Sequence, residues 1–275
     1  MSMAKDLSRP MSWGRAHARL CELVLAAGLM FSMAIFPVAT YAHDIRIAAA
    51  TELKFLFEDV SSQFEQKSAH QVSLVFANSG ALFEKIKNGE SFDLFFSSDL
   101  RYPKRLEQTG EGEPGTLYRF GISGLVIWVP KESKLDLQEL HMNVLLDPAV
   151  KKVAIPDPSL EYLGKAAFSA LSYFKLEEQV QNKFILTDTS WMAARYVESG
   201  AAEVAIIPLS LAAAPAMQAH GRYWEIPRAA YPPVEVSSII LRDAPHRDSA
   251  RAFLLYLNSK TGRELMHLYG FLNPR

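Results

Sequence analysis

From Asp44 onward the chain keeps switching between two hydrophobic periods, and that switching restricts its fold more than any other feature. Short runs rich in β-branched and aromatic residues alternate with stretches in which apolar residues recur every three to four positions. "IRIAAA" (45–50) precedes a helical pattern over 52–67, with Leu53, Leu56, Phe57, Val60 and Phe64 on one face. "QVSLVFA" precedes a helix from Ala81, and "FDLFFSS" precedes a short helical stretch over 103–108. Repeated strand–helix units of this length imply a parallel sheet with helices on both faces, so the fold class is α/β.

The pattern restarts further on. "GISGLVIWVP" (121–130) reads as an extended run, "KVAIPDP" as a strand ending in a turn, and 164–174 as a helix. "NKFILTD", "SWMAARYVESG" and "AEVAIIP" then read as strand, helix and strand. After the Pro- and Tyr-containing "AAYPPVEV", a strand returns in "VEVSSIILRD", and two helices close the chain over 248–258 and 262–268. A second wound sheet accounts for the restart. Two extended segments, near 118–128 and 234–242, flank the middle block, so the chain is expected to cross to a second lobe and come back. The expected layout is a signal segment over 1–42, one lobe from 43–122 with 237–275, and a second lobe over 123–236. Two crossings make a hinge, and a hinge leaves a cleft that closes on small ligands.

The segment ahead of Asp44 reads as an export signal. Arg15, His17 and Arg19 precede an uncharged apolar run, 23–42, that ends in small residues before His43. Cleavage is expected after Ala42; the alternative is a retained anchor, because about 20 apolar residues suffice to span a bilayer. Cys21, the single cysteine, precedes the run and would leave with it, which excludes thiol nucleophiles and thiolate metal sites from the exported chain. A formal net charge of -1 provides no basic field for nucleic acid.

Ligands of open α/β sheets lie beyond the carboxyl ends of the strands, where helices begin. Four such places carry small or hydroxyl residues: Thr51 after "IRIAAA", Asn78-Ser79-Gly80 after "LVFA", Leu163-Gly164, and Thr189-Ser190. Helix N-termini present unpaired N–H groups and a partial positive charge, a combination suited to an anion. Ser, Thr and Asn are also the ordinary caps of any helix. The case for a ligand is the recurrence of such sites at the ends of two sheets. In addition, no Glu or Gln follows Ser79 where a capping box would take up the free donors.

The segments "AAATEL", "VFANSGALFEKIKNG", "FDLFFSSD", "VAIPDPSLEYLGKAAFSAL", "YVESGAAEVAIIPLS" and "LYGF" together resemble the periplasmic molybdate-binding proteins of ABC importers, over nearly the whole of 45–271. That resemblance implies a two-lobed type II periplasmic-binding-protein fold, each lobe a mostly parallel sheet flanked by helices. It implies molybdate or tungstate held by hydroxyl and backbone N–H donors without a cationic side chain. Carried over by motif, Thr51 and Ser79 would donate from hydroxyl and N–H, and Leu163 and Ser190 mainly from N–H. The implied protein is a periplasmic monomer that delivers its oxyanion to a membrane permease and binds no cofactor, no metal cation and no nucleic acid.

The chain departs from the family pattern at three points. Glu52 stands beside Thr51 where many relatives have a small or amide residue, and as a first-turn helix acid it is expected to point away from the ligand. Pro208 stands where some relatives place a ligand-binding Tyr, and Leu163 has no side-chain donor. An acid near the ligand would favour a protonated oxyanion such as hydrogen phosphate over molybdate; the rival ligand is another oxyanion such as phosphate or sulfate. The rival from another class is an exported enzyme, with His70, His141, His220, His246 and His267 and the carboxylates Asp93, Asp99 and Asp157 as candidates. Their spacings match no metal motif, no nucleophile elbow and no phosphate loop. Of the tryptophans Trp128, Trp191 and Trp224, Trp191 is the one expected to report lobe closure, because it directly follows Ser190.

Overall fold

The computed structural model describes residues 44–274, so the expected export segment lies outside the described residues. The first sheet contains β1 (Asp44–Ala50), β2 (Gln71–Ala77), β3 (Leu94–Ser97), β4 (Tyr118–Ser123) and the late strand β10 (Val234–Ile240), in the order β2-β1-β3-β10-β4. The second contains β5 (Leu125–Pro130), β6 (Val153–Pro156), β7 (Phe184–Thr187), β8 (Val204–Pro208) and β9 (Gly221–Glu225), in the order β7-β6-β8-β5-β9. β3, β6 and β8 are buried along their whole length, whereas β2 and β7 at the edges are partly open. Strands covered by helices on both faces need no polar alternation, and here they show none.

The sheets share one plan. β1 runs parallel to β2 and β3, and β10 inserts antiparallel between β3 and β4. β6 likewise runs parallel to β7 and β8, and β5 lies antiparallel between β8 and β9. In each sheet the chain leaves β1 or β6, the strand next to the edge, for one side and returns on the other, which makes the carboxyl end of that strand a switch point.

Seven helices of nine or more residues pack on these sheets among the described residues: α1 (Lys54–Lys67), α2 (Ser79–Lys87), α3 (Arg101–Thr109), α4 (Tyr162–Tyr173), α5 (Ser190–Glu198), α6 (Arg247–Asn258) and α7 (Lys260–Leu268). Over the first sheet, Phe57 of α1 meets Phe96 of β3 edge-on at 4.6 Å, and both pack on Phe120 and Phe253. Over the second, Ala166, Ala167, Ala170 and Leu171 of α4 pack with Val153, Ile155 and Ile206. Small residues on α4 let the helix lie close to its strands.

The run "GISGLVIWVP" is two strands in two sheets, broken at Gly124. Periodicity could not reveal the break, because both halves are buried and apolar. The crossing is tied down: the N–H of Leu125 donates to the Tyr231 hydroxyl at 2.8 Å, and the carbonyl of Gly124 accepts from the N–H of Leu209 at 2.8 Å. Tyr231→Phe strands the buried Leu125 N–H. It should lower unfolding free energy by about 1–3 kcal/mol in urea titration, the usual cost of an orphaned buried donor. A loss below a few tenths would mean the crossing does not depend on that bond.

Candidate functional site

Thr51, Glu52 and Leu53 form a single 3-10 turn between β1 and α1, so Thr51 and Glu52 sit at the switch point of the first sheet. Glu52 is 1% exposed. The sequence reading turned this acid outward. Instead its carboxyl is enclosed, bonded to Ser98 at the end of β3, with Oε1 left without a partner. The turn is held by the other sheet, because the Ser210 hydroxyl donates to the main-chain carbonyl of Glu52 at 2.8 Å. Ser210 lies two residues past Pro208, on the short helix Leu209–Ala212, so the hydroxyl at this strand end holds the turn.

Ser79 is the first residue of α2 and is buried. Asn78 caps that helix by accepting from the N–H of Ala81 at 2.7 Å. The Ser79 hydroxyl accepts from the Ser98 N–H at 3.3 Å and lies 3.5 Å from the Ser98 hydroxyl. Ser98 therefore joins Ser79 to Glu52.

From the second sheet, Ser190 opens α5, with Thr189 capping the helix through the N–H of Met192 at 3.1 Å. Glu161 is the residue before α4. It has the extended backbone of an N-cap, yet its side chain caps nothing in its own helix. It reaches the start of α5 instead. Its Oε2 accepts from the Ser190 N–H at 3.0 Å and from the Ser190 hydroxyl at 2.6 Å, while Oε1 takes the Thr51 hydroxyl at 3.4 Å. A carboxylate oxygen thus occupies the N-terminus of a nine-residue helix, where the dipole and free N–H groups favour negative charge.

The electrostatics oppose that preference. Burial, then the neighbouring charge of Glu52, raise the Glu161 carboxyl to about 8, and the bonds from Ser190 and Thr51 offset this only in part. Burial also raises Glu52, with the bond from Ser98 acting the other way. Desolvation disfavours the ionised form of each acid, and two enclosed like charges disfavour it further.

Of the four residues expected from sequence, Thr51 and Ser190 meet at the Glu161 carboxyl, and Ser79 connects to the same centre through Ser98 and Glu52. Leu163 is the second residue of α4; its side chain is buried in the core of the second sheet, and its N–H lies in the unpaired first turn two positions from Glu161. Sequence reasoning missed Glu161 and Ser98. An acid just ahead of a helix looks like an ordinary dipole partner, and a serine in "FFSSD" looks like a strand end.

The carboxylates considered for an enzyme serve as local ties. Asp93 accepts from the N–H groups of Arg46 at 2.8 Å and His246 at 2.7 Å, Asp99 binds Arg101, and Asp157 binds Ser159. His70 stacks on Phe64 and His141 on Trp224. Trp191 meets Phe55 of α1 edge-on at 5.5 Å, which places it across the gap between the helices of the two sheets. A cavity of about 310 Å³ lies between Ser98, Asp99 and Arg101 on one side and Tyr162, Pro233 and Glu235 on the other; Ser98 is the residue it shares with the site.

Residues 45–272 match the family model described as bacterial extracellular solute-binding protein. The molybdate-binding protein ModA of Azotobacter vinelandii is 27% identical over 252 residues, covering 92% of this chain and 97% of that protein. ModA of Rhodobacter capsulatus is 24% identical over 258 residues, covering 94% and 96%. The solved periplasmic molybdate-binding protein of Azotobacter vinelandii superposes with a TM-score of 0.78 at 24% identity, over 84% of this chain and all of that one, and so shares the two-sheet fold.

Proposed function

This chain belongs to the bacterial extracellular solute-binding proteins, and from that premise we propose that it captures molybdate or tungstate between its two sheets and delivers the ion to the membrane permease of an ABC importer. One observation carries the reading: hydroxyl and N–H donors from strand ends of both sheets converge on the oxygens of one enclosed carboxyl, the arrangement a bound oxyanion needs. Thr51, Ser79, Leu163 and Ser190 are the proposed ligand donors, the last two mainly through main-chain N–H. A fully deprotonated dianion accepts at every oxygen, so neutral donors suffice, and enclosure strengthens each bond. The similarity to molybdate-binding proteins over more than nine-tenths of the chain supports this ion over other tetrahedral anions. The proposed protein acts as an exported periplasmic monomer, without catalysis, cofactor or nucleic acid.

Calorimetric titration with molybdate, tungstate, sulfate and phosphate near pH 6 tests the reading. Molybdate and tungstate should bind and compete with each other; silence with both, or a preference for phosphate, would refute it. Ser79→Ala should weaken molybdate binding about tenfold, as expected for one hydrogen bond to a charged group. Position 190 separates side chain from main chain. Ser190→Ala removes only the hydroxyl, with about a tenfold loss, whereas Ser190→Pro also removes the N–H, with about a hundredfold loss. Proline suits a first helical position, and Thr189 before it is already extended, so the helix should survive. Equal losses in the two variants would show that the N–H donates nothing.

A further inference from the structure

Resting on the oxyanion reading of this cleft, we infer that Glu52 and Glu161 are specificity-determining residues of the pocket: the cleft closes on an oxyanion only with these carboxyls protonated, and Glu161 cedes Ser190 and Thr51 to the ligand. The donors that a bound anion needs are the ones Glu161 now holds, at 2.6 Å and 3.0 Å from Ser190 and 3.4 Å from Thr51. An incoming dianion competes with the Glu161 carboxyl for the same N–H and O–H groups. It also meets the second carboxyl, Glu52, which is enclosed with an oxygen that has no partner. A dianion beside two ionised carboxylates in an enclosed site is strongly repelled. With a proton on each, the repulsion goes, and each acid turns from an acceptor into an O–H donor that can face the ligand.

Among the described residues, no cation faces the pair to do this instead. The pair faces Thr51 in its own turn, Ser98 from the end of β3 and Ser190 from the start of α5, all uncharged. Charged residues on the neighbouring elements are engaged or exposed. Lys54 binds Glu58, Arg101 binds Asp99, and Glu235 of β10 pairs with Arg119. Asp157 is tied to Ser159, Asp188 and Lys165 are exposed, and Tyr162 lies beside Glu161 at the mouth of the cavity. Burial holds the Glu161 proton to about pH 8, so near neutral pH the pocket is largely primed and above that value the proton must come from solvent. In that range, binding one anion moves a proton from solvent onto a Glu161 carboxyl oxygen, and a second onto Glu52 wherever that acid is ionised; release returns them.

The test is calorimetry with sodium molybdate from about pH 6 to about pH 9.5, a range in which the ligand itself carries no proton, in two buffers of different ionisation enthalpy at each pH. Affinity should be flat at the acid end and then fall at least about tenfold per pH unit at the alkaline end, with uptake of at least about one proton per ion. Glu161→Gln, which keeps a neutral donor in place, should take up about one proton fewer per ion than wild type and show a correspondingly shallower fall in affinity. An infrared band of a protonated carboxyl in the wild-type complex at high pH provides a reading that does not depend on the variant folding. Wild-type binding with flat affinity and no proton uptake would overturn this inference while leaving the ligand reading intact. Binding of phosphate alone, without proton uptake, would mean that the ligand brings the proton, and overturns both. Silence with all four anions near pH 6 also removes both.

Discussion

The ligand-free protein is expected to lose several kcal/mol of unfolding free energy as pH rises from about 5 to about 9, and Glu161→Gln is expected to remove most of that loss. The Glu161 carboxyl stands near 8 in the folded chain against an ordinary 4.5. Between those values the folded state binds the proton and the unfolded state does not. Folding free energy attributed to this group is therefore fully present below the lower value, is lost as pH rises toward the upper one, and is constant beyond it. One group in this window contributes a slope of up to about 1.4 kcal/mol per pH unit, or on the order of 3–5 kcal/mol in all. Glu52 is raised too, by its own burial, and adds in the same direction. Urea unfolding at several pH values, wild type beside Glu161→Gln and Glu52→Gln, measures this. Both variants should exceed wild type in stability at the alkaline end and approach it at the acid end. A wild-type curve parallel to the Glu161→Gln curve across the window would show that the carboxyl is not held neutral by the fold.

Gly164→Ala is expected to cost about 3 kcal/mol or more in unfolding free energy, the upper end for an overpacked core, and to weaken molybdate binding more than tenfold. A methyl group there would lie 2.3 Å from the Pro156 carbonyl oxygen, 2.7 Å from the Pro158 nitrogen and 2.8 Å from the Asp157 carbonyl carbon. All three are main-chain atoms next to the switch point, so nothing flexible can move aside. α4 must shift away from the end of β6, and Glu161, three residues earlier, shifts with it and loses its bonds to Ser190. Gly80→Ala is the contrasting case: its methyl meets side-chain atoms alone, the Tyr102 hydroxyl at 2.8 Å, Tyr102 Cζ at 3.4 Å and Asn78 Oδ1 at 3.5 Å, and the closest is the far end of its side chain. Thermal unfolding of the two variants should separate them, Gly80→Ala being the milder. Similar losses would show that the approach of α4 to β6 is not what limits the site.

The residues that sequence reasoning reached are those whose roles are local. Asn78-Ser79-Gly80 reads as a helix start with the capping box counted from Ser79; the cap is Asn78, one position earlier. Thr51, Ser79 and Ser190 read as hydroxyls at strand ends where helices begin, and each stands there. Helix and strand periods, small-residue turns and the placing of a cap are set within a few positions of the chain, so they can be read from it. Glu52 was misread for the same reason: nothing next to an acid in a first helical turn distinguishes one facing solvent from one facing a closed cleft.

Sequence alone therefore determined the α/β class, the two successive windings and the strand ends that carry donors, since hydrophobic period and helix-start chemistry are properties of neighbouring residues. Only the tertiary structure decided that Glu161 reaches Thr51, 110 positions away, and Ser190 on the facing helix, and that Glu52 is shut in beside it. The protonation of a carboxyl depends on what surrounds it in space. That environment exists only after the two sheets have packed and excluded water from the gap between them.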